Sequence, residues 1–213
     1  MTKSKTQKLV AAALLCAMAY TVMAILRIPV LFLTIDFKDV IILIGGFLYG
    51  PLVALSVAVI VPLLEMFTVS DTELFGCAAN ALSSGTFVFA ASFIYSRRKT
   101  LEGAIIGLTV GVIVMTFIMT LWNYIAVPFY RGIPREAVVG MLIPIFIPFN
   151  LFKGGINAIL TMIIFKPAAM ALHKAGLVEL PIVGTRSTRI KWIFIIAGIA
   201  IVAAILFWLL QSS

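Results

Sequence analysis

Charge is what this sequence has least of. Only 11% of its residues are Asp, Glu, Lys or Arg, against about 25% in soluble domains. That scarcity excludes a large soluble catalytic domain. Histidine occurs once, as His173, with no cluster of carboxylates around it, so metal binding and histidine acid–base chemistry have no partners. Cysteine occurs twice. Cys16 and Cys77 both lie in apolar segments without metal or disulfide spacing and read as small packing residues. The sequence has no phosphate-binding glycine loop, no nucleophile elbow and no paired-histidine motif. If ATP hydrolysis drives this protein, it must come from a partner.

What the chain does have is apolar length. Of its 213 residues 63% are hydrophobic, and the mean hydropathy is +1.20. Repeated runs long enough to span a bilayer predict an all-α fold, an integral membrane helical bundle. The net charge of +8 sits in segments flanking those runs, which is the pattern of membrane topology and not of a nucleic-acid surface.

Lys3, Lys5 and Lys8 precede a first span over 9–26 and predict a cytoplasmic N-terminus. A cleaved signal peptide begins the same way, but this run is long and further spans follow. Ala13 and Ala17, with Thr21 next, form a small-residue stripe that serves either internal packing or contact with another subunit. Residues 27–39 read as a loop broken by Pro29 and holding Asp36, Lys38 and Asp39. The next apolar stretch is interrupted at Gly50-Pro51, and charge decides how to read it. Arg97, Arg98 and Lys99 belong on the same side as the N-terminal lysines, so an even number of crossings separates them. The stretch must supply two, splitting at Gly50-Pro51, the first starting near Asp36. A fourth span over 74–95 puts Gly76, Asn80 and Ser84 on one face. A fifth covers 103–127, and a sixth runs from about 142 to 165, extending as far as 172. Residues 1–175 thus form a six-helix core, 176–191 a basic cytoplasmic linker, and 192–213 a further transmembrane segment, since 192–210 is nineteen residues without a charge.

The chemistry concentrates in 143–160, IPIFIPFNLFKGGINAIL. Asn150, Lys153 and Asn157 are spaced i, i+3 and i+7 and share a helix face. Gly154 on that helix lets another group approach closely. A lysine in hydrocarbon costs roughly 3 kcal/mol, so Lys153 must face protein or a bound ligand. Asn123 near the exit of the fifth span falls at the same depth, beside Trp122, Tyr124, Phe129 and Tyr130. Apolar walls with a few convergent polar groups are what a small-ligand pocket needs. Asn123 serves equally well as a bond between helices, and the aromatics as interface anchors. Asn80 and Ser84 read as ligand contacts or as packing. Glu65 reads as a coupling carboxylate or as a side chain reaching interfacial water.

Three stretches, LTIDFKDVIILIGGFLYGP (33–51), NYIAVPFYRGIPREAV (123–138) and IPFNLFKGGINAIL (147–160), resemble the S components of energy-coupling factor (ECF) transporters, in particular the riboflavin-specific branch. The resemblance covers about residues 8–175. It implies a multi-pass protein of the bacterial plasma membrane that captures riboflavin as cargo, with no cofactor or metal. It further implies a transmembrane coupling protein and two ATPase subunits as partners. Asn150 and Lys153 sit where the family's sixth helix contacts the flavin, and Asn123 resembles the fifth-helix contact. Asp36 and Phe37 resemble part of a first loop that closes over the ligand. Ala13 and Ala17 resemble the surface that meets the coupling subunit. Riboflavin is uncharged, so Lys153 would donate to its ring carbonyl or ribityl oxygens. The rivals are the same scaffold with another vitamin, pantothenate suiting Lys153 better than cationic thiamine, and a stand-alone proton-coupled carrier using Glu65. An intramembrane enzyme or a scaffold is a further alternative with less to support it. The seventh apolar segment departs from the family's six-helix pattern.

Overall fold

Gly50 makes the corner on which the first half of the bundle turns. Its φ of 101° is a left-handed value that favours glycine, and its N–H closes the preceding helix on the Gly46 carbonyl at 2.9 Å. Pro51 then opens the next helix, where its missing N–H costs nothing. The split read at Gly50-Pro51 is therefore a break between two helices.

The computed structural model describes residues 5–30, 33–68 and 73–174. In chain order it contains α1 (Lys5–Ile25), β1 (Arg27–Val30), β2 (Leu33–Asp36), α2 (Lys38–Tyr49), α3 (Pro51–Thr68), α4 (Glu73–Arg97), α5 (Leu101–Arg131), α6 (Arg135–Met141), a π-helical turn (Leu142–Phe146) and α7 (Ile147–Lys174). Among the described residues four helical stretches are long and apolar enough to cross a membrane: Pro51–Thr68, Leu74–Arg97, Leu101–Arg131 and Arg135–Lys174. The apolar part of α1, Leu9–Ile25, is slightly shorter, and α2 has only 12 residues. The linker and seventh span expected over 176–213 lie outside the described residues.

One expectation fails. Residues 27–30 and 33–36 pair as antiparallel strands and are not an irregular loop, with Arg27 opposite Asp36 and Pro29 opposite Thr34. Pro29 does not break the ribbon. In a two-stranded ribbon each strand has a free edge, so a residue without an N–H is tolerated there, and Ile28, Val30, Thr34 and Ile35 supply the β-branched character strands favour.

The core is a shared apolar interior, with Ala19 and Met23 of α1, Ile42 and Leu43 of α2, Val57 and Val61 of α3, Phe87 and Val88 of α4, and Met115 of α5 all shielded from solvent. Phe47, Tyr95 and Phe165 close the end away from the hairpin, with ring centroids 4.3–5.8 Å apart. Helices α4 and α5 form the most extensive contact, because Gly107 and Gly111 let the backbones meet. A Cβ on Gly107 would lie 2.6 Å from the Ala91 carbonyl oxygen, and one on Gly111 2.9 Å from that of Phe87. The close approach expected at Gly154 is likewise present, against Met115 and Val112 of α5. Ala13 and Ala17 are exposed, so internal packing does not account for the α1 stripe.

Thr100 caps α5. Its side chain accepts the Gly103 N–H at 3.0 Å from an extended backbone. Thr100→Ala should cost about 0.5–2 kcal/mol, read as a lowered midpoint of thermal unfolding in detergent with ligand binding unchanged.

Candidate ligand site

Asp36, at the end of the hairpin, is the electrostatic centre of the molecule. It is 2% exposed. Its Oδ2 accepts from Lys153 Nζ at 2.9 Å and from Lys38 Nζ at 3.0 Å. Its backbone carbonyl accepts from Asn157 Nδ2 at 3.1 Å. One residue of the hairpin therefore holds α7 at two points and α2 at a third. Burial alone would push the Asp36 carboxyl up; the ammoniums of Lys153 and Lys38 outweigh it and hold the group well below the usual carboxylate range. Lys38 is wholly buried and reaches across to Glu65 Oε2 at 3.5 Å, where Asn80 Nδ2 also donates at 3.1 Å. The network thus runs from α7 through the hairpin and α2 to α3 and α4.

Above this network lies a cavity of about 310 Å³, inside the roughly 300–1,000 Å³ typical of small-ligand sites. Asn123, Asn150 and Lys153 line one wall, from α5 and α7, and Glu65, Asn80 and Ser83 the other, from α3 and α4. Trp122, Tyr130, Phe75 and Phe149 add aromatic surface, with Phe75 and Tyr130 stacked at 5.5 Å between centroids. The Ser83 hydroxyl is buried and has no protein partner. The π-turn sets one wall. Pro144 and Pro148 lack N–H groups in the stretch where the helical ladder shifts register, and Asn150 Nδ2 donates to the Phe146 carbonyl there at 2.7 Å. Its side-chain oxygen remains for a guest.

Four of the expected ligand residues, Asn80, Asn123, Asn150 and Lys153, line this one cavity. Two do not. Asp36 and Phe37 are not on its lining; Asp36 sits behind Lys153, and Phe37 packs against the apolar core at the start of α2. Of the two partners expected for Lys153, protein or a bound ligand, the fold supplies the first: its ammonium is on Asp36, leaving only its remaining donors for the cavity. Glu65 was expected as a coupling group or an interfacial one. It is 4% exposed and turned inward, which removes the interfacial reading. Of the flat rings expected at this level, Trp122 and Tyr130 are on the lining, whereas Phe129 is exposed and Tyr124 carries Arg135 over its ring at 5.3 Å. The cavity positions of Thr34, Ser83 and Phe149 went unread, because only the fold brings the hairpin and α4 to the same space.

Known proteins are similar to this chain in sequence and fold. The chain is 29% identical over 181 residues to the riboflavin transporter RibU of Staphylococcus aureus (strain TCH60), covering 80% of this chain and 94% of that protein. It is 27% identical over 173 residues to the riboflavin transporter FmnP of Bacillus subtilis (strain 168), covering 76% and 91%. A solved structure of the S component of a bacterial ECF transporter superposes with a TM-score of 0.68 at 29% identity, covering 79% of this chain and 99% of that one. The family model for the substrate-specific component of ECF transporters matches residues 7–165. With the helical bundle and that match in hand, the chain belongs to the ECF transporter substrate-specific components: it is a multi-pass membrane subunit for transport and not an enzyme.

Proposed function

We propose that this subunit binds riboflavin with high affinity and delivers it to an ATP-driven importer. The observation that carries the reading is the cavity itself, where amides from α4, α5 and α7 meet aromatic rings at a size suited to a small neutral molecule. The relatives named as riboflavin transporters support the same ligand. Asn80, Asn123, Asn150 and Lys153 contact the ligand in this reading, while Asp36 orients Lys153 from behind. Nanomolar capture requires about −12 kcal/mol, within reach of a buried ring system and several satisfied hydrogen bonds. The lysines at the start of the chain support a cytoplasmic N-terminus. The exposed Ala13 and Ala17 on α1 suit close docking of a transmembrane coupling protein, which two ATPases would drive. Pantothenate is less suited than the sequence implied, because the lysine that would take its carboxylate already holds one.

Titration of purified protein with riboflavin should quench flavin fluorescence at nanomolar concentration. No quenching at micromolar ligand would refute the assignment. Ala79→Phe, which fills the cavity from α4, should weaken binding tenfold or more. Unchanged affinity would move the ligand elsewhere.

A further inference from the structure

We infer that Glu65 selects against anionic ligands and so sets the site's preference for an uncharged guest; this rests on the riboflavin reading above. Two observations carry it. The first is geometric. Glu65 lines the cavity while 4% exposed, and its bonds to Lys38 and Asn80 both fall on Oε2. Oε1 makes neither bond. A carboxylate oxygen accepts and never donates. It suits a hydroxyl or an imide N–H and opposes a phosphate or carboxylate.

The second is charge. Among the described buried residues two ammoniums, Lys38 and Lys153, face three carboxylates, Asp36, Asp39 and Glu65. Lys153 is committed to Asp36, and Lys38 is nearer to Asp36 than to Glu65, at 3.0 against 3.5 Å. Arg27 and Arg131 also reach the cavity lining, but Arg27 is half-buried and Arg131 exposed, so water screens them. Glu65 is therefore the one carboxylate that the described residues place on the cavity lining, and the cation it pairs with lies nearer to Asp36.

The test compares riboflavin with its 5′-phosphate ester on purified protein. Wild type should prefer riboflavin at least tenfold, and equal affinities overturn the inference. In Glu65→Gln, which keeps the shape and the Asn80 bond, the preference should shrink at least tenfold. A purely structural Glu65 would weaken both ligands equally, and that result also overturns it. If Glu65→Gln cannot be purified, Glu65→Asp keeps the charge and should keep the preference; losing it overturns the inference. Failure of the riboflavin reading looks different, since wild type would then bind neither flavin.

Discussion

Asp36→Asn is expected to remove about 3–5 kcal/mol of stability, the typical consequence of stripping one partner from a buried ion pair. The neutral side chain would leave Lys153 and Lys38, now both within about 3 Å of that carboxylate oxygen, as two buried ammoniums without a charge between them. Thermal unfolding in detergent measures the loss. The double change Asp36→Asn with Lys153→Met should recover a good part of it, because Lys38 retains Glu65. Additive losses would show that the pair is not coupled. Acid should act differently. A carboxyl held below its unfolded value of about 4 contributes stability that is complete above that value and is lost only as pH falls toward the depressed one. Mild acid should therefore leave wild-type stability unchanged, whereas the loss in Asp36→Asn should be present at neutral and mildly acidic pH alike.

Gly107→Val should have the next largest effect. The new side chain meets the Ala91 backbone carbonyl, which cannot rotate away, so α4 and α5 must separate. Overpacking of this kind costs about 1–3 kcal/mol and occasionally more. These helices carry Asn80 and Ser83 on one wall and Met119, Trp122 and Asn123 on the other, so the separation should also widen the cavity. Unfolding and flavin titration should both register it. Gly140→Val is the control, since a side chain there meets nothing within 4 Å. Equal loss at both positions would remove the close-contact explanation.

The helices were legible because hydrocarbon leaves a helix few alternatives, and apolar length with basic flanks marks each crossing. Gly50-Pro51 was legible for the same reason: an even crossing number required a break, and a Gly-Pro pair is a strong turn signal. Asn150 and Lys153 stood out because polar groups in such surroundings are costly. The acidic half of the site stayed hidden. Asp36 and Lys153 are 117 residues apart, and Lys38 and Glu65 are 27 apart. Nothing local in DFKD distinguishes a carboxylate at the surface from one buried against a distant helix. The hairpin was not legible because Pro29 signals a break more strongly than four β-branched neighbours signal a strand.

The brevity of α2 has a consequence for retention. Its 12 residues extend about 18 Å, while a bilayer's hydrocarbon is about 30 Å thick. If α2 stands upright in such a bilayer, about 12 Å of that thickness is left to the hairpin that precedes it and to the cavity that hairpin helps line. A molecule lodged there would lie deeper than the headgroups, with fewer waters competing for its polar contacts. Few contacts would then suffice for a long residence.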